Sequence, residues 1–318
     1  MKSFGPPPAT HGRSAPDACS ILWDTAGPDE PVYGTSAPAR FWVAVEQNGP
    51  WGRTPATQSY FPAELGAQLL QRFSAAGGRL ALIRRPGTHA DPRFGPRRCY
   101  VAWSGPGAFL LAGRLDEPAD LLTLDLAALG AGDQAGTVGS LPWLSACDPI
   151  LLVCTNGRHD VCCAVRGRPV ALAGQEAHAG RVWECSHTGG HRFSPTGVLL
   201  PWGRALARIS EITVADIVEA SDDGALPLGL LGPRHDRGDS ALPIRVQVGE
   251  SSVRALIEET DLEALAAVAG AGGAVEVEHR DGRRWTVTLS VATGEARRNS
   301  CGEPAEPART WSSVVTAL

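Results

Sequence analysis

The sequence has no apolar run approaching the roughly 20 residues that a membrane-spanning helix requires; Gly, Pro or charge interrupts each one sooner. It also has no basic excess. A net charge of −5 gives no electrostatic reason to expect a nucleic-acid partner. Lys2 is followed by no apolar stretch, so residues 1–16 do not form a secretory signal; their Pro-rich composition predicts a disordered tail. No paired Asp/Glu constellation suggests glycoside hydrolysis. The C-x-x-C motif of thiol–disulfide oxidoreductases is missing, and the adjacent Cys162 and Cys163 are too close to replace it. No internal repeat is evident.

What is present is a cluster. Of the eight cysteines, Cys154, Cys162, Cys163 and Cys185 fall within one short stretch, together with His159, His178, His187 and His191. A chain of 318 residues can bury a core without disulfide staples, and nothing suggests export. A cytoplasmic protein using Cys and His for metal or redox chemistry is the expectation. Cys19, Cys99 and Cys147 are expected to be small buried hydrophobes, the usual fate of an isolated cysteine.

Residues 41–46 predict a buried strand, 62–76 a helix with Leu65, Leu69, Leu70 and Phe73 on one face, and 80–84 a second strand. Residues 99–103 and 109–113 form an expected hairpin. This β-α-β plus hairpin is the element order of a thioredoxin-like unit. A Gly-rich break at 130–139 separates it from the next segment, where 150–154 and 181–185 are strands flanking a helix over 169–179, with Pro169 in its first turn. Residues 199–217 look helical. Beyond 242, strands are expected at 243–248, 275–279 and 284–289, with an amphipathic helix over 254–268, making a small α+β appendix.

Two loops follow the strands ending at Cys154 and Cys185. The first runs from Cys154 to Cys163 and the second is His187-Thr188-Gly189-Gly190-His191. Paired glycines between the histidines argue for a loop rather than a helix, and let the backbone approach a bound centre. Thiolate plus imidazole donors suit zinc or an iron–sulfur centre, not calcium or magnesium. The expected ligands are Cys154, Cys163, His187 and His191. Cys162 and Cys185 are alternatives that rank second, because adjacent residues rarely reach one metal and a strand-end cysteine usually packs. Asp160 is expected to N-cap a helix beginning at Val161. Arg158 and Arg192 are expected structural partners, and His159 and His178 are expected in solvent.

At these residues the chain resembles the sucrase/ferredoxin-like family, the thioredoxin-like [2Fe–2S] ferredoxins. Gly49-Pro50-Trp51-Gly52 and Leu82-Ile83-Arg84-Arg85-Pro86-Gly87 are similar to its amino-terminal half; residues 154–163 and 186–193 are similar to its cluster half, and Ser300-Cys301-Gly302 with Trp311 to the tail of bacterial members. The likeness is good over residues 19–221. Asn156 and Ser194-Pro195-Thr196 depart from the common pattern without touching the ligand positions. The resemblance implies an α/β chain of two thioredoxin-like lobes at 17–140 and 145–235, followed by the α+β appendix at 240–318. It implies a [2Fe–2S] cluster on Cys154, Cys163, His187 and His191, in the histidine-ligated branch. Such a protein would be an electron carrier more than a catalyst, serving a reductase or oxygenase partner. Neutral imidazole ligands would raise the potential and couple electron to proton transfer. Structural zinc on the same four residues is the alternative.

Overall fold

The computed structural model describes residues 16–25, 30–88 and 95–318. The expected tail at 1–16 therefore lies almost wholly outside the described residues. The fold is α/β, built on one ten-stranded sheet that carries two copies of the same element order.

After a short helix α1 (Cys19–Asp24), the first copy runs β1 (Phe41–Glu46), α2 (Pro55–Gln58), α3 (Ala63–Ala75), β2 (Gly78–Arg84), β3 (Arg97–Trp103) and β4 (Phe109–Leu115). β1 pairs parallel with β2 and antiparallel with β3, which forms a hairpin with β4. Two short helices, α4 (Leu126–Gly130) and α5 (Gln134–Ser140), and the two-residue β5 (Ser145–Ala146) close it. The Gly-rich stretch expected as a break is thus largely helical. The side chains of Asp125 and Asp133 cap α4 and α5 by accepting from first-turn N–H groups, which offsets the low propensity of glycine.

The second copy runs β6 (Ile150–Cys154), α6 (Val161–Ala177), β7 (Val182–Cys185), β8 (Gly197–Leu200) and β9 (Arg204–Leu206), followed by α7 (Thr213–Asp222) and β10 (Asp236–Asp239). β6 and β7 are parallel, while β8 and β9 are an antiparallel hairpin beside β6. Sheet order is β10-β9-β8-β6-β7-β2-β1-β3-β4-β5, so β7-β6-β8-β9 mirrors β2-β1-β3-β4. The copies meet where β2 and β7 pair antiparallel through Ile83 opposite Cys185 and Arg84 opposite Glu184.

Period-two alternation sorts the core. Phe41, Val43 and Val45 of β1 face one apolar cluster with Leu69 and Phe73 of α3, while Trp42 and Ala44 face another. In β6, Leu151 and Val153 pack with Val170 of α6 and Ile217 of α7. Ile150, Leu152 and Cys154 lie on the opposite face, in the cluster that also holds Trp42 and Trp183 and so spans both copies.

Four expectations about elements fail for physical reasons. α6 starts at Val161, so Pro169 lies within the helix and not in its first turn. Residues 199–217 are not one helix: Pro201 and the left-handed Gly203 (φ 62°) turn the chain between β8 and β9, and helix resumes only at Thr213. The alternation at 243–248 belongs to a helix, α8 (Ile244–Leu256), whose residues from Val246 to Arg254 are all buried. A helix buried on every side has no amphipathic period to read. The helix expected over 254–268 ends at Leu256, because Arg254 turns inward to donate to the carbonyls of Glu259 and Asp261, and β11 (Leu265–Ala269) follows.

β12 (Val275–His279), β13 (Arg284–Arg298) and β14 (Ala305–Ala317) complete a separate four-stranded antiparallel sheet. Arg204 of β9 ties α8, which packs against this sheet, to the main sheet by donating to Asp236 of β10 and, at 2.6 Å, to Glu250 of α8. The hairpin of β13 and β14 is long, and its tip carries Ser300 and Cys301 back to α1 and α6.

Candidate metal centre

β6 delivers Cys154 to the end of the sheet, and the following turn leads directly into α6. Asp160 caps that helix as expected, accepting from Cys162 N at 2.9 Å. This puts Cys163 in the first turn, buried like Cys154. The helix can lie this close only because residue 167 is glycine: a Cβ there would sit 2.3 Å from the carbonyl oxygen of Cys154. The backbone of the ligand strand is fixed on both sides, with Cys154 N donating to Thr196 O and Thr155 N to Cys185 O. Thr155 Oγ1 donates to Glu184 at 2.9 Å, and Glu184 is held by Arg84 Nε at 2.7 Å.

The second loop behaves as the paired glycines predict. Gly189 and Gly190 both adopt left-handed backbone (φ 89° and 74°), and a single 3-10 turn (His191–Phe193) follows. The glycines serve a close approach, but to a side chain: a Cβ on Gly190 would lie 2.5 Å from the Arg237 guanidinium. Arg237 is fully buried and donates to Gly189 O at 3.1 Å.

The donor atoms of Cys154, Cys163 and His187 lie within 4.8 Å of one another. His187 Nδ1 is 3.8 Å from Cys154 Sγ. A second trio with the same spacing comprises His159, His187 and His191. The two trios share His187, so the four expected ligands are divided between a sulfur end with Cys154 and Cys163 and an imidazole end with His191. Cys185 is buried in the core beside Cys154 and enters neither trio. Cys162 turns away to a different set of residues, Cys19, Asp160 and Cys301. His159 is not in solvent: its ring stacks on His187 with centroids 3.6 Å apart. His178 lies 3.2 Å from Glu219, away from the centre.

The electrostatics favour a bound cation among these donors. Hydrogen bonding from Cys163 and His187 holds the Cys154 thiol well below its ordinary range despite burial, while Cys163 keeps the proton of the pair and is pushed up. Both ring nitrogens of His191 are buried with no hydrogen-bond partner among the described residues; Asp160 is 3.8 Å from Nε2, too far for a hydrogen bond. A buried imidazole with nothing to bind is costly, and a bound metal would supply the missing partner. Arg237 lies near these thiols and, among the described residues, pairs with no carboxylate. Burial and the neighbouring Arg192 and Arg79 lower it to about 9. Cys/His groupings here could therefore hold a metal ion, and the S and N donors fit one.

The sequence profile of the sucrase/ferredoxin-like family matches residues 32–227, covering both copies of the sheet motif and both ligand loops. The chain belongs to this family. No curated protein and no solved structure matches it significantly. The matched region of this sucrase/ferredoxin-like chain ends before α8, so the C-terminal sheet lies outside it. Among the described residues no helix is long and apolar enough to cross a membrane.

Sequence reasoning did not find His159, Arg237, or the set around Cys162. For Cys162 a signal existed: successive helical residues point about 100° apart, so adjacent cysteines at a helix start face different surroundings. For Arg237 there was none, since it comes from β10, far along the chain.

Burial and the neighbouring His187 and His191 lower His159 to about 4. In the metal-free chain, the unfolded state then binds more protons than the folded state between about pH 6.5 and 4. Stability is full above that window and falls as pH drops through it. Urea midpoints of the metal-free protein at pH 7.5, 6 and 5 should decrease in that order, and the decline should be shallower in His159→Gln.

Proposed function

We propose that this protein is a one-electron carrier that holds a [2Fe–2S] cluster on Cys154, Cys163, His187 and His191. The observation that carries this reading is the sharing of His187 between two donor trios, one rich in sulfur and one of imidazoles. A single tetrahedral ion gathers all four donors within about 4 Å of one another. A run of donors graded from thiol to imidazole suits a binuclear centre better. The repeated β-α-β plus hairpin order supports the thioredoxin-like assignment of both halves.

When bound, the cluster supplies reversible one-electron chemistry near the potentials of histidine-ligated centres, above those of all-cysteine ones. The chain's own groups set where that potential lies. Arg237, buried beneath the loop without a carboxylate partner among the described residues, would favour whichever state carries more negative charge. His191, whose ring nitrogens have no hydrogen-bond partner among the described residues, would hold the cluster through one nitrogen and could carry a titrating proton on the other, which would link the potential to pH. The redox partner in this reading is a reductase or oxygenase.

The test is iron and acid-labile sulfide in anaerobically purified protein, with the visible spectrum. Iron and sulfide in equal amounts with a brown colour are expected. His187→Cys and His191→Cys should keep the cluster, alter the spectrum and move the potential toward the roughly −400 mV of plant-type clusters. A colourless protein containing zinc at these residues would overturn the reading.

A further inference from the structure

Cys162 does not join the centre just described, and its actual neighbours form a second set. Its Sγ lies 3.6 Å from Cys19 Sγ and 3.4 Å from Cys301 Sγ, and Cys301 Sγ is 3.6 Å from Cys19 Sγ. Three thiols from α1, α6 and the tip of the β13–β14 hairpin therefore form a closed triangle. Asp160 completes the group, with both carboxylate oxygens 3.8 Å from Cys19 Sγ and one of them within 4.8 Å of all three sulfurs.

We infer that Cys19, Cys162, Cys301 and Asp160 form a second metal site, for a thiophilic divalent ion such as zinc. Four donors placed about 2.3 Å from a tetrahedral zinc lie about 3.8 Å apart, close to the edges of this triangle. A disulfide would join only two of the three sulfurs and leave the third in contact with both.

The carboxylate is oriented for the fourth position. Asp160 Oδ2 accepts from Ser300 Oγ at 2.9 Å and Cys301 N at 2.8 Å, which uses both of its lone pairs. Oδ1 accepts from Cys162 N and, at 3.8 Å, from the Cys19 thiol, so loss of that thiol proton on metal binding frees one of its lone pairs for the metal. Charge is offset on the same side by Arg192, which lies within the field of Cys19 and stacks on Trp23. Packing brings the three segments together independently of the sulfurs: Trp23, Phe193 and Ala308 share one small apolar cluster.

The site would staple the two ends of the chain to the start of α6, the helix that carries Cys163. Asp160 also lies 3.8 Å from His191 Nε2, so the two sites are adjacent but use different donors. This inference does not depend on the nature of the first centre.

Metal analysis of the full chain distinguishes the two. A Cys154→Ala/Cys163→Ala variant, which lacks the first centre, should retain one zinc per chain. Cobalt substituted into it should show thiolate-to-metal charge-transfer absorption. Cys301→Ala, at a half-exposed hairpin tip, should weaken zinc binding at least 100-fold by chelator competition while leaving the first centre's metal in place. In the unmutated chain, a strong chelator should make Cys19, Cys162 and Cys301 alkylate together, as read by mass spectrometry; this outcome requires no variant to fold. The inference fails if the first-centre variant binds no metal, if Cys301→Ala retains its zinc unchanged, or if freshly purified protein contains a Cys162–Cys301 disulfide.

Discussion

Glu184→Ala should destabilise the protein by about 3–5 kcal/mol, the usual cost of removing one partner of a buried ion pair. Glu184 and Arg84 have almost no exposed side-chain surface, and they form one of the two register pairs between β2 and β7. Their contact at 2.7 Å crosses the seam between the two halves of the main sheet. Arg84 is also stacked over Trp51 at 3.8 Å and donates to Gly49 O, so without Glu184 its charge stays buried with no counterion. The effect should extend to the centre, because Thr155, next to Cys154, donates to the same carboxylate oxygen. Urea unfolding followed by circular dichroism measures the loss. Asp116→Ala provides the contrast: its pair with Arg114 is about two-thirds exposed, and a change within about 1 kcal/mol is expected. If Glu184→Ala were equally mild, the seam would not depend on this pair.

Cys154→Ser should remove the metal from the first centre, with affinity falling by more than 100-fold. Changes to residues that merely support metal ligands already cost 10–100-fold. Cys185→Ser is the sharpest comparison available in this fold. The two cysteines are register partners at the ends of β6 and β7, both fully buried, yet only Cys154 has its sulfur among the donors. Cys185→Ser should keep the metal and lose a little stability from an added buried hydroxyl. Element analysis of both variants against the unmutated protein decides the matter. Equal loss in both would mean that Cys185 is a ligand and that the assignment around β6 is wrong.

Much of the first half of the fold is legible without coordinates. Residues 41–46 and 150–154 are short, uninterrupted apolar runs bounded by turn residues, and α3 shows a helical period ended by glycine. The two ligand loops were equally plain, since Cys, His and paired Gly at strand ends leave few other uses. The C-terminal third was misread where burial on all sides removes periodicity, as in α8, and where an inward arginine ends a helix early.

The sequence by itself determined where the Cys and His donors of the first candidate centre gather, because they come in two local motifs at the ends of neighbouring strands. Only the tertiary structure decided what surrounds them. That Cys162 belongs with Cys19 and Cys301, and that Arg237 lies under Gly190, depend on segments that meet only when the sheet and the long hairpin are complete. Local pattern encodes faces and turns; it carries no record of which distant face each one meets.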